Sequence, residues 1–433
     1  MSLKVTILVA SALILIGQST GEGAKAFRDE DLELERQLKL LNKPPVKSIQ
    51  TQDGSTVDCI DINKQLAFDH PLLQNHTIQM EPSSLPKGMK PASDLPIEPV
   101  KFETVQCPHG TVPVRRTRKK DLIAAKTLST SYGAPSNEGG YHPNIFCYQF
   151  STVKTFRDRP TNFYGARSFI EIWKPNVSAD QFSSSEMWIR NAESDRLNSI
   201  QLGIFVIPSL YSDDKPRLTS SWTADGHQKT GCFNLLCPGF VQITRQYYMG
   251  MPFTRISTYG GSIYYVNSLV FKVRSNLLVN LFLCFAFSFQ YFYSKLYLVS
   301  QWKDPASGNW WFIVRNSEGV VNFGYWPGSL FNNLADHATE LEFGGQVYSP
   351  PNQPSPQMGS GHFYPKNAFK TASVSNIAFV DGSNVLTEPE NISMVLTPNK
   401  PNCYYANYCE FWDDVFRYNT MFGGPGGPNC IEY

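Results

Sequence analysis

From about Tyr141 to the C-terminus, apolar and polar residues alternate in short runs separated by Gly, Pro, Asn and Asp, the period-two pattern of half-buried strands. Long helical periodicity is scarce there, so the pattern predicts an antiparallel β-sandwich rather than βαβ units. Within it, 184–190 and 199–207 read as two arms of one hairpin. In the second arm Ile200, Leu202, Ile204 and Val206 share one face, and Gln201, Gly203, Phe205 and Ile207 share the other. The first set predicts a core face; the second, a cleft floor.

The N-terminal third is patterned differently. Lys4 ahead of an apolar run at 5–16, followed by small polar residues and Ala24-Lys25-Ala26, predicts a secretory signal over 1–26. Leucines at 32, 34, 38, 40 and 41 predict a short docking or capping helix stopped near Pro44-Pro45. Alternating runs at 46–52 and 55–62 meet at Asp53-Gly54, a strong hairpin signal. The basic cluster 115–120 reads as a solvated loop or helix start rather than a nucleic-acid patch or processing site. A polar, glycine-rich stretch then separates a small α+β unit (27–128, linker 129–140) from the mainly β domain (141–433).

One segment resists the pattern, because 276–299 is apolar enough to span a membrane. A transmembrane helix there would require sheet pairing across the bilayer, and an extra buried hairpin is the second alternative. The preferred reading is a translated intron, 273–303: a valine codon at 273 can begin with GT and a lysine codon at 303 can end with AG. Excision joins the flanks as SLVFKDPASGNWW, a strand, a turn and a strand, and removes Cys284.

Composition narrows the function. The net charge of +1, from 38 basic and 37 acidic residues, leaves no electrostatic footprint for nucleic acid or an anionic membrane. With Cys284 set aside the nine cysteines become an even set, as expected after secretion. Cys59 with Cys107 fits one bridge in the small unit, and Cys232 with Cys237 a local one. Sequons at Asn75, Asn176 and Asn391 are compatible with glycosylation. The seven histidines form no HExxH pair or cysteine–histidine spacing, and no G-x-S-x-G, P-loop or G-x-G-x-x-G occurs. Gly359-Ser360-Gly361-His362 reads as a glycine turn. No metal or cofactor is expected.

Several stretches resemble the neprosin family of secreted plant glutamic endopeptidases, which prefer to cleave after proline and carry an activation domain. In the small unit these are VDCIDI at 57–62, AFDHPLL at 67–73 and CPHGTVPVRR at 107–116. In the main domain they include WTADG at 222–226, TGCFNLLCPGFVQ at 230–242, GNWW at 308–311, GYWP at 324–327, MGSGHF at 358–363 and GGPG at 423–426. The resemblance implies a zymogen whose activation unit covers a β-sandwich, with two acidic side chains in a cleft. It also implies a Cys403–Cys430 bridge, while Cys147 and Cys409 depart from the family pattern and the sequence leaves their pairing open.

Where family segments resemble N-x-I-E-x-G-W and W-G-G-E-V, this chain has Asn198-Ser199-Ile200-Gln201 and Gly344-Gly345-Gln346-Val347. An amide titrates in neither direction near physiological pH, whereas amide hydrolysis of this type needs a base for water and an acid for the leaving amine. The expectation is therefore a catalytically impaired homologue that binds proline-containing peptides, with Phe205 and Trp188 packing on them. The alternative is an active enzyme using Glu186, which brings a carboxylate to the neighbouring strand; Arg190 is the competing partner for Glu186, and Glu342 is a weaker substitute read as a solvated sheet residue. A non-catalytic cell-wall or interaction protein is the third class. The protein is expected to be a monomer in the apoplast or cell wall, without nucleic-acid or membrane partners.

Overall fold

The computed structural model describes residues 28–89, 104–132, 148–156, 161–192, 196–273, 308–316, 319–363, 370–390, 392–397, 402–414 and 416–430. The small unit opens with a helix over 28–41 (α1), followed by β1 (Pro45–Gln50), β2 (Thr56–Asp61), β3 (Thr111–Arg115) and α2 (Lys119–Tyr132). Gly54, at φ +79°, takes the left-handed turn that closes β1 onto β2, and the three strands form a sheet in the order β1-β2-β3. The Cys59–Cys107 disulfide fastens β2 to the segment leading into β3.

The main domain is two antiparallel sheets face to face. Its strands are β4 (Tyr148–Thr155), β5 (Gly165–Glu171), β6 (Phe182–Asn191), β7 (Asn198–Val206), β8 (Arg217–Thr223), β9 (Cys232–Phe233), β10 (Val241–Gln242), β11 (Tyr265–Lys272), β12 (Trp310–Asn316), β13 (Gly319–Trp326), β14 (Glu340–Tyr348), β15 (Ala372–Val380), β16 (Leu386–Thr387), β17 (Met394–Leu396), β18 (Tyr405–Cys409) and β19 (Asn419–Gly423). A short helix, α3 (Pro208–Tyr211), follows β7. The seven-stranded sheet runs β17-β4-β14-β6-β7-β8-β9 and the nine-stranded one β10-β13-β12-β11-β5-β15-β19-β18, with β16 beside β15. Their facing sides interdigitate: Met187, Ile189, Ile200, Leu202 and Phe343 of one meet Ala166, Ile170, Val270, Phe312 and Val374 of the other in a single core.

The small unit reaches the far side of both sheets. On the nine-stranded sheet, Tyr164, Leu269, Phe271, Trp311, Ile313 and Tyr325 form an apolar outer face, which Ala67, Phe68, Ile78 and Met89 cover. On the seven-stranded sheet, Ala124 and Leu128 of α2 pack with Phe182, Phe205 and Phe233. Polar contacts lock the arrangement. Gln65 and Gln242 exchange bonds (main-chain N of Gln242 to Gln65 Oε1, 2.8 Å; Gln65 Nε2 to Gln242 O, 3.1 Å). His76 Nε2 lies 2.8 Å from the Tyr325 hydroxyl, and Arg217 forms a buried ion pair with Asp53 at 2.8 Å.

One expectation changes: helix α2 extends to Tyr132, four residues into the expected linker. The basic cluster leads into the start of α2, as expected, and its side chains are paired, Arg115 and Arg118 with buried Asp121, Arg116 with Asp58 and Lys119 with Asp31. Among the described residues Cys409 is a half-buried free thiol; Cys147 lies outside them, as do Asn391 and 274–307. Among the described residues no helix is long and apolar enough to cross a membrane.

The ladder between β11 and β12 stays in register up to Lys272 opposite Trp310, and Lys272 Nζ donates to Gly308 O at 2.6 Å. Excising 273–303 would leave 304–309 to close that hairpin, a loop of ordinary length. The excised protein is expected to melt as one transition at an unchanged or higher temperature, as followed by circular dichroism. Asp53→Ala is expected to destabilise the chain by about 3 kcal/mol in denaturant titration, the low end for breaking a buried pair because Asp213 still compensates Arg217.

Candidate functional site

Strands β14, β6, β7 and β8 lie side by side, and residues directly opposite in antiparallel neighbours point to the same side. The register therefore writes out, row by row, the face turned away from the inter-sheet core. One row holds Gln346, Ser184 and Phe205; the next Gly344, Glu186 and Gly203; the third Glu342, Trp188, Gln201 and Ser221; the fourth Glu340, Arg190, Ser199 and Thr223. The two glutamines sit on opposite diagonals of Glu186. Sequence alternation alone placed Gln201 and Phe205 on one face, and pairing brings Gln346 and Glu186 to it.

Glu186 owes its seat to the glycines on either side. A side chain at Gly203 would put its Cβ 2.1 Å from Ser185 O and 2.8 Å from Glu186 Cγ, while Gly344 has φ +145° and a Cβ there would meet Ser151 O at 2.4 Å. The carboxyl is fully buried, with Oε1 accepting from the Ser184 hydroxyl and Oε2 without a partner. Burial pushes its pKa up to about 8, against the Ser184 hydrogen bond and the Arg190 charge and with help from Glu342. Below that pH it is a neutral acid.

Arg190 does not pair with Glu186. Its guanidinium is engaged by Glu342 and, at 3.5 Å, by Glu340, and it lies 5.5 Å from the Trp188 ring centroid. Glu342 is accordingly no solvated residue: it is 2% exposed and also accepts from the Thr152 hydroxyl. Around Gln201, several polar atoms are buried without partners: its own Oε1, the hydroxyls of Ser199 and Ser221, and Arg190 Nε. Buried polar groups are ordinarily satisfied, so such a cluster marks a place where hydrogen bonds are made to something else. Ser199 and Ser221 had no sequence signal of their own, because their membership depends on strand register; Arg190 was read only as a partner for Glu186.

The two aromatic positions are occupied by the chain itself. Phe205 is wholly buried, its ring 6.2 Å from Phe182 and 6.3 Å from Phe233, under the apolar side of α2. Trp188 is equally buried, with Phe150 at 6.4 Å. Neither is open to a peptide in this structure. Disulfides join Cys232 to Cys237 and Cys403 to Cys430, and Asn75 and Asn176 are exposed. No group of three or more metal-ligating side chains occurs among the described residues.

Comparison with known proteins gives two family matches. The family described as Neprosin matches residues 179–281 and 291–425, and Neprosin activation peptide matches 48–146. The break in the first falls inside 273–303. Among solved structures, the crystal structure of Scytalido-glutamic peptidase with a peptide based transition state analog aligns with 6% identity and a TM-score of 0.30, covering 64% of this chain and 97% of that chain. A likeness that slight carries no structural inference.

A second buried acid, Glu171, accepts from Ser373 Oγ and N and from Trp173 Nε1, and burial pushes its pKa up to about 7 against those bonds. Both acids titrate higher in the folded chain than unfolded, so their contribution to stability is complete below about pH 4.5 and is lost as pH rises through about 7 and 8. Glu171→Gln and Glu186→Gln remove that loss. The melting temperature of the double variant relative to the parent is expected to rise between pH 5 and pH 8.5.

Proposed function

Because the chain belongs to the neprosin family and has its activation unit docked, we propose that it is a secreted, catalytically impaired homologue that binds proline-containing peptides on the outer face of the seven-stranded sheet. The carrying observation is the amide character of that face: glutamines at 201 and 346, and between them a carboxyl that burial keeps protonated. Hydrolysis needs one group ionised to take a proton from water and another protonated to supply the leaving nitrogen. The face offers a protonated group and no ionised one at its centre. The nearest carboxylate, Glu342, is held by Arg190 and Thr152.

Binding places smaller demands. Gln201 Oε1 accepts from a peptide N–H, and the Ser199 and Ser221 hydroxyls donate to peptide carbonyls, so a strand laid across β7 and β8 would satisfy atoms that have no partner among the described residues. Three disulfides and exposed sequons at Asn75 and Asn176 support the secretory route. A second reading, turnover through Glu186, is favoured by its place between the two glutamines.

Assays at pH 4–5 with a proline-containing fluorogenic peptide separate the two. The parent chain is expected to show no turnover above background, and Gln201→Glu with Gln346→Glu is expected to raise the rate by about 10²-fold or more, the lower end for restoring one acid–base group. Parent turnover abolished by Glu186→Gln would replace the first reading with the second.

A further inference from the structure

Among the described residues strand β1 is the edge of its sheet, paired with β2 on one side and with no strand on the other. Across a gap from it runs 104–107. The amides of Val105 and Cys107 donate to the carbonyls of Gln246 and Arg245 at 3.0 and 3.3 Å. In an extended chain, successive residues turn their backbone groups to opposite sides, so those of Thr104 and Gln106 face away from 245–246. Among the described residues the amides of Thr104 and Gln106 have no backbone partner.

The gap between these two backbones is a cavity of about 400 Å³, within the usual size of ligand sites. Its floor is apolar, made by Ile49, Val105, Tyr248, Met251 and Pro252. Among the described residues Lys47 is the one charged residue lining it. The groove joins a β-edge to an apolar floor and a cation, at the seam where the small unit meets the main domain, and shares no described lining residue with the glutamine face.

We propose that this groove is a docking site for an extended peptide of a partner protein, carrying aliphatic side chains at alternate positions and a carboxylate near one end. The peptide adds as a strand to β1, its main chain bonding the edge, its alternate side chains meeting the floor and its carboxylate pairing with Lys47. Pro45 and Lys47 guard the start of the edge against self-association, while Ser48 to Gln50 remain open to a strand that carries the matching charge.

The test uses the full chain and fluorescence anisotropy with fluorescein-labelled Val-Thr-Val-Thr-Val-Glu. Saturable binding is expected, weakened at least tenfold when alternate amides of the peptide are N-methylated. Ile49→Trp, which fills the floor, is expected to weaken it by a similar factor with the melting temperature unchanged. Gln106→Pro, which removes an amide that has no backbone partner, is expected to do the same. Absence of saturable binding, equal affinity for the N-methylated peptide, or affinity untouched by Ile49→Trp would overturn the proposal. So would a concentration-dependent dimer in sedimentation that Ile49→Trp abolishes, which would give the groove to a second copy of the chain.

Discussion

Arg190 governs the charge state of the outer face of the seven-stranded sheet. A carboxylate taken out of water must find a cation or several hydrogen-bond donors, or it takes up a proton. The guanidinium of Arg190 is committed to Glu342 and Glu340, and Glu342 gains a further bond from Thr152. Glu186, four residues away along the same strand, is left with a single hydroxyl donor and burial, and is held as a neutral acid. With amides at 201 and 346, the centre of the face can donate and accept hydrogen bonds.

The same economy of buried charge fastens the activation unit. Arg217, 1% exposed, is shared between Asp213 of the main domain and Asp53 at the tip of the β1–β2 hairpin, and it lies 4.5 Å from the Tyr211 ring centroid while Arg115 lies 5.0 Å from it. Removing the unit would strip Arg217 of one partner and uncover both the aromatic outer face of the nine-stranded sheet and Phe205 on the other. In this protein the small unit thus has the standing of a third layer, clamped on both sides of the sandwich.

Much of this was legible in the residues. Period-two alternation along 199–207 assigned Ile200, Leu202 and Ile204 to the core and Gln201 and Phe205 to the opposite face, because a strand offers its side chains only two directions. Asp53-Gly54 announced the hairpin, since glycine takes the left-handed turn without steric cost. Family resemblance along 45–430 supplied the activation unit and the main domain that the two family matches bear out. Chemistry that resides in the side chain itself, such as an amide's inability to titrate, needs no coordinates.

Tertiary structure decided which groups meet. Local sequence offered Arg190 as a partner for Glu186 four residues away, yet in a strand those residues point along one face nearly 14 Å apart by the usual rise, and the cross-strand neighbours Glu340 and Glu342 are closer. Glu342 read as solvated because its burial depends on strands more than a hundred residues distant. Phe205 read as a substrate contact because only docking of α2 covers it. Sequence thus determined the local pattern and the chemical identity of the site; register and docking, which join residues far apart along the chain, decided its charge and its access.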